Sequence, residues 1–131
     1  MAMTPEQMQE LQALYQELGA VKARMADACR RAARMSVLDY DFKSKDGPVK
    51  LSSLFGDKPD LIIVHNMGKS CPYCTLWADG LNGLTDHLRN RAGFALTSPD
   101  DVATQTEFAA SRSWRFPMLS TQGTTFALDM G

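Results

Sequence analysis

Cys71 and Cys74 stand three residues apart in the run Cys71-Pro72-Tyr73-Cys74, directly after the apolar stretch Leu61-Ile62-Ile63-Val64. Two thiols at that spacing, where a strand gives way to a helix, can interconvert between dithiol and disulfide. At a helix N-terminus the first sulfur meets unpaired backbone N–H groups and the positive end of the helix dipole, and both favour thiolate over thiol. The second sulfur, one turn on, is within reach of a mixed disulfide formed by the first. The expected roles are Cys71 as the exposed nucleophile and Cys74 as the buried resolving thiol. Potentials of C-x-x-C pairs run from about −270 to about −120 mV, and about 30 mV corresponds to about 1.4 kcal/mol, so modest local changes move such a site from reductant to oxidant.

Other chemistries compete for the same atoms. Cys71, Cys74, His65 and His87 supply four acceptable zinc ligands, although the second paired motif of a zinc finger is missing. A binding module with incidental thiols is a third class. Around the pair, Lys69 could lower the Cys71 pKa by its charge. Trp77 reads as a packing residue, Asp79 as a capping or solvent-facing residue ahead of a proton acceptor near Cys74, and Arg112 and Arg115 as a cationic patch. Cys29 reads as a small packing residue, with an intermolecular disulfide as the alternative.

Composition narrows the classes. The chain has 131 residues, 44% apolar, with 14 basic against 15 acidic side chains. No overall field draws nucleic acid or an anionic membrane. The start, Met-Ala-Met-Thr-Pro, lacks a basic region followed by an apolar one, and no run approaches the ~20 residues of a membrane span. The expected location is cytoplasmic, where three cysteines do not form a disulfide framework and a C-x-x-C serves catalysis or metal binding.

The elements that position the thiols follow from periodicity. Residues 1–35 are expected to hold one long helix, from about Thr4 to Met35. Thr4 is the N-cap and Pro5 the first helical residue, and Leu11, Leu14, Leu18, Val21, Met25, Ala28, Ala32 and Met35 recur at alternating 3–4 spacing. About 30 residues span about 45 Å, longer than a small domain is wide, so homodimerisation through this seam is expected. Residues 36–131 then alternate strands and helices as an α/β domain with a central sheet. The expected strands are Val37–Phe42, Val49–Leu51, Leu61–Val64 (central, covered on both faces), Phe94–Thr97, Trp114–Ser120 and Thr124–Leu128. The expected helices are 72–89, interrupted or kinked near Gly80 and Gly83, and 101–111, with Val102, Phe108 and Ala109 inward. A helical turn over Ser52–Gly56 completes the set.

This layout resembles the thioredoxin superfamily and, within it, the peroxiredoxin-like branch. The segments that carry the resemblance are Asp41-Phe42 to Asp46-Gly47, Leu51-Ser52-Ser53-Leu54-Phe55-Gly56-Asp57-Lys58, the strand before the cysteines, and Phe116-Pro117-Met118-Leu119-Ser120. The run Cys71-Pro72-Tyr73-Cys74-Thr75-Leu76-Trp77-Ala78-Asp79-Gly80-Leu81-Asn82-Gly83 is similar to that of a bacterial thioredoxin-like family of unknown function. The likeness covers about residues 36–130. It implies a thioredoxin-like sheet flanked by helices, and a redox site at Cys71 and Cys74 that needs no organic cofactor or metal. The family supplies no settled substrate; the dithiol chemistry itself sets the expected partner as a protein or small-molecule thiol or disulfide. A thioredoxin fold normally closes with a β-hairpin and a helix, so its C-terminal part is expected to be short or missing here.

Two departures define what the resemblance does not carry. Peroxiredoxins place a Pro-x-x-x-Thr-x-x-Cys pattern before the peroxidatic cysteine, whereas Met67, Gly68, Lys69 and Ser70 precede Cys71. Glutaredoxins share Cys-Pro-Tyr-Cys, but their Thr-Val-Pro and Gly-Gly glutathione-binding elements have no counterpart. Pro117 is the only late candidate for the cis-proline that faces the pair in ordinary thioredoxins, and the peroxiredoxin-like alignment sets it elsewhere, as a trans residue.

Overall fold

The computed structural model describes residues 3–131; residues 1 and 2 of the expected 1–35 segment lie outside them. The chain divides into two compact units, one ending at Val37 and the other running Leu38–Gly131.

In the first unit, α1 spans Pro5–Arg31. Thr4 Oγ1 accepts from the Gln7 N–H while Gln7 Oε1 accepts from the Thr4 N–H, a reciprocal cap that fixes where the helix begins. The helix ends four residues earlier than expected. Its 27 residues extend about 40 Å, and none of them is buried.

The second unit holds β1 (Asp41–Ser44), β2 (Gly47–Lys50), a 3-10 turn (Leu51–Phe55), β3 (Leu61–His65) and α2 (Pro72–Arg91). They are followed by β4 (Gly93–Ser98), α3 (Val102–Ser111), β5 (Met118–Ser120) and α4 (Phe126–Met130). One sheet runs in the order β2-β1-β5-β4-β3. β3, β4 and β5 are parallel, while β1 is antiparallel to both β2 and β5.

Side chains alternate across this sheet. On one face Tyr40, Phe42, Ala95, Leu119 and Phe126 form a buried cluster; on the other Ala78, Phe94, Leu96 and Phe116 do. β4 supplies both clusters, and five of its six residues are buried. It begins at Gly93, where a Cβ would stand 2.2 Å from the Leu54 carbonyl oxygen, so only glycine lets the 3-10 turn lie against the strand.

Several expectations need correction. Leu61–Val64 is not central. β3 is an edge strand, and β4 and β5 take the interior positions. An apolar run reports cover above and below a sheet, which β3 has through Ile62 and Val64 on one face and Ile63 on the other; it carries no signal of lateral position. The first strand begins at Asp41 rather than Val37, because Val37 and Leu38 are exposed and only Tyr40 and Phe42 turn inward. Gly80 and Gly83 do not break α2, which runs unbroken to Arg91. The Thr124–Leu128 segment is helical, with Phe126 buried and Asp129 Oδ2 accepting from the Tyr40 hydroxyl at 2.6 Å.

Candidate functional site

The parallel strands deliver their C-terminal ends to one edge of the sheet, and the chain leaving β3 passes through residues 66–70 into α2. This connection is pinned from two sides. Asn66, buried, bonds its N–H to the Thr97 carbonyl at 2.8 Å, and its Oδ1 accepts from the Gly68 N–H at 2.8 Å. Asp100, from the turn after β4, accepts the Lys69 N–H at 2.7 Å. Gly68 has φ +103°, and a Cβ there would lie 2.8 Å from the Asp100 carboxylate. Glycine is therefore required twice, by the backbone conformation and by the space.

Cys71 is the N-cap of α2, with extended φ −94° and ψ 104°, and Pro72 is the first helical residue. The Cys71 Sγ occupies the place of a capping side-chain oxygen and accepts the Cys74 N–H at 3.2 Å. The Thr75 hydroxyl donates to the Cys71 carbonyl at 3.1 Å. The Cys74 thiol, donated to the Cys71 sulfur, is the main cause that lowers the Cys71 pKa; the Cys74 and Tyr73 N–H groups add to it and partial burial opposes it. The same thiol contact pushes the Cys74 pKa up. The two sulfurs are thus differentiated, with the negative charge favoured on Cys71. Both thiols are free.

Burial reverses the expected order. Cys71 is buried, at 9% exposure, and Cys74 is half-buried. The pinned 66–70 segment is tied to the helix start, where the Cys71 N–H bonds the Gly68 carbonyl at 3.1 Å. Lys69 acts here through its backbone; its side chain is exposed, and its charge is not among the causes of the Cys71 shift.

The other candidate residues sort by contact. Trp77 does not pack: it is 71% exposed, beside Tyr73 at 76% and Leu76 at 68%, so an apolar strip flanks the dithiol. Asp79 accepts from Arg112 and, at 2.8 Å, from Trp114 Nε1, and these bonds hold its carboxyl below the usual range. Asp79 is therefore a clamp on the α3–β5 connection rather than a proton acceptor for Cys74. Arg115 pairs with Asp86 at 3.1 Å, so both arginines answer carboxylates on α2 and do not form a free cationic patch. Asn82 completes the clamp, accepting the Arg115 N–H at 2.8 Å and donating to the Ser113 carbonyl at 3.0 Å. Cys29 is exposed, not packed.

The zinc set is not assembled. His65 is exposed at the end of β3 and His87 is exposed on α2. Among the described residues no group of three or more His, Cys, Asp or Glu could hold a metal ion. Pro117 is trans. It immediately precedes β5, whose first residue Met118 pairs with Leu96, itself paired with Val64, so Pro117 lies level with the middle of β4 and β3. A cleft of about 490 Å³ opens beside it, lined by Val49, Gln105, Trp114 and Leu119 among others, and neither site cysteine lines it.

Sequence reasoning missed Asn66, Asp100 and Gln105. Gln105, buried on α3, donates to Ser98 Oγ at 2.7 Å and to the Leu119 carbonyl at 3.0 Å, which ties α3 to β4 and β5. The local signal for Asp100 was its place in Ser98-Pro99-Asp100-Asp101, which reads as capping for α3; Asp101 does cap that helix, accepting the Thr104 N–H at 2.8 Å. The reach of Asp100 back to Lys69 has no local signature.

Comparison with known proteins agrees with this architecture. Peroxidoxin BcpB from Mycobacterium tuberculosis is 31% identical, with a TM-score of 0.62 over 71% of this chain and 62% of that one. Peroxiredoxin Q from Xanthomonas campestris is 24% identical, with a TM-score of 0.58 over 70% of this chain and 59% of that one. The bacterioferritin comigratory protein of the same organism, described for its alkyl peroxide reduction activity, is 22% identical, with a TM-score of 0.60 over 75% and 66%. The chain spans less than two thirds of the length of each of these structures. No curated protein matches it. The fold is thioredoxin-like in the manner of the peroxiredoxins, a five-stranded sheet flanked by helices. The chain belongs to the family described as "Bacterial protein of unknown function (DUF899)", whose model matches residues 5–131.

Proposed function

We propose that Cys71 and Cys74 perform thiol–disulfide exchange. The observation that carries this reading is the donation of the Cys74 N–H to the Cys71 sulfur at 3.2 Å at the start of α2, with the neighbouring Cys74 side chain favouring the charged form of Cys71. That arrangement favours thiolate at Cys71 and keeps a protonated second thiol one helical turn away.

In the reducing direction the Cys71 thiolate attacks one sulfur of a substrate disulfide. The substrate S–S bond breaks, and the departing thiolate takes a proton from solvent. Cys74 then loses its proton and attacks Cys71 in the mixed disulfide, which forms the Cys71–Cys74 bond and releases the substrate as its second thiol. Two electrons pass to the substrate, and an external dithiol restores the pair. The exposed strip of Tyr73, Leu76 and Trp77 beside the thiols suits a protein disulfide, since exposed contiguous apolar surface marks a contact site.

The test is oxidation by glutathione disulfide, followed by alkylation and mass spectrometry. The expected product has lost two protons, localised to Cys71–Cys74, and Cys74→Ser accumulates a mixed disulfide at Cys71. A pair that stays fully alkylatable after mild oxidation overturns the reading.

A second reading has its own observation. Cys71 is 9% exposed, which suits a small oxidant, and the 31% identical neighbour is named a peroxidoxin. In that case the Cys71 thiolate attacks a peroxide oxygen, the O–O bond breaks to give a sulfenic acid and an alkoxide or hydroxide that is protonated, and Cys74 condenses with the sulfenic acid to release water. The absence of the Pro-x-x-x-Thr-x-x-Cys pattern weighs against it. Peroxide oxidising the pair faster than glutathione disulfide does would favour it.

A further inference from the structure

α1 carries more information than an apolar seam. If Leu11, Leu18, Met25 and Ala32 are the a positions of a heptad and Leu14, Val21 and Ala28 the d positions, the g positions are Glu10, Glu17, Arg24 and Arg31. The seam is open: Leu11, Leu14, Leu18, Val21 and Met25 are 38–63% exposed, and no residue of the helix is buried. Charge is divided along the length. The first half bears Glu6, Glu10 and Glu17 with no basic residue, while the second bears Lys22, Arg24, Arg30, Arg31 and the following Arg34 against Asp27 alone.

We propose that α1 pairs antiparallel with α1 of a second copy of this chain. With opposed directions, the seam closes in layers of one a and one d residue: Leu11 on Ala28, Leu14 on Met25, and Leu18 on Val21, each repeated by the two-fold axis. In this register the g row of one helix runs along the g row of the other, in reverse. Glu17 then faces Arg24 of the second copy, and Glu10 faces Arg31, so all four flanking pairs are attractive. A parallel pair instead sets g against e of the next heptad. That opposes Glu17 to Lys22 but leaves Glu10 against Tyr15 and Arg24 against Cys29, and it aligns acidic half with acidic half. Opposed directions also bring the positive end of each helix dipole beside the negative end of its neighbour. Within one chain Arg30 and Arg31 pair with Asp27, whereas among the described residues Glu10 and Glu17 are in no ion pair, so the second copy supplies what they lack.

The full-length chain with Cys29, Cys71 and Cys74 changed to Ser provides the test. Light scattering should give the mass of two chains. Leu14→Cys with Met25→Cys should oxidise to a covalent dimer, while Leu14→Cys alone should not, because its counterpart then lies 11 residues, about 16 Å, away along the helix. Glu10→Lys/Glu17→Lys and Arg24→Glu/Arg31→Glu should each weaken dimerisation at least tenfold, and mixing the two variants should restore it. A covalent dimer from Leu14→Cys alone means a parallel pair and overturns the proposal. So does a one-chain mass at every concentration, which assigns the seam to a different protein.

Discussion

At the scale of single residues, the two cysteines are chemically unequal because each sees the other from a different side. Cys71 receives donors and Cys74 supplies one. Cys74→Ala should therefore raise the Cys71 pKa, moving the midpoint of its iodoacetamide alkylation profile upward, whereas Cys74→Ser keeps a donor and should move it less. The stability of the reduced protein follows the same signs. The contribution from the lowered Cys71 is present above the ordinary thiol value of ~8.5 and is lost as pH falls through its folded value. The contribution from the raised Cys74 is present below ~8.5 and is lost as pH rises through its folded value. The positions of both thiols were legible in sequence because the cue is local: two cysteines one turn apart after an apolar run. Their burial was not, because it depends on tertiary packing, and even the segment leading into Cys71 is held by Asp100, which bonds Lys69 across 31 residues of sequence.

At the scale of elements, capped helix starts and most strand segments were readable, and the order of the strands in the sheet was not. Thr4 and Asp101 cap where their side chains suggest. α2 was misread at Gly80 and Gly83. Each glycine costs about 1 kcal/mol against alanine in a helix, but Ala78, Leu81 and Leu88 pack on the sheet and Asp79 and Asn82 are tied to the α3–β5 connection. Tertiary contacts outweigh the local penalty. The Thr-rich segment before Phe126 has the alternation of a strand, yet the deciding contacts are Phe126 against Tyr40 and Phe42, with ring centroids 5.2 and 5.0 Å apart. The clamp can be tested directly. Asp79→Asn should cost about 1–2 kcal/mol, read by chemical denaturation, because the Arg112 pair is lost and the Trp114 bond is weakened. The change in Trp114 environment should also appear in its fluorescence.

At the scale of the whole molecule, the chain joins a thioredoxin-like unit to a helix of which no residue is buried. Periodicity revealed both parts, since an α/β alternation and a heptad are patterns of spacing. Among the described residues no helix is long and apolar enough to cross a membrane. What spacing could not supply was the order of strands, which depends on pairing between distant segments, and it left β3 misplaced. That edge position has a consequence for proton exchange with solvent. The Asn66 N–H and the Asp60 carbonyl bond toward β4, so by the alternation of a parallel strand Ile62 and Val64 face β4 as well, while Leu61, Ile63 and His65 turn their amides outward. In deuterated water the Ile63 and His65 amides should exchange within the dead time of the measurement, while those of Ile62 and Val64 remain protected. The same open row makes β3 the place where unfolded or crowded chains would begin to aggregate, just ahead of the segment that carries the thiols.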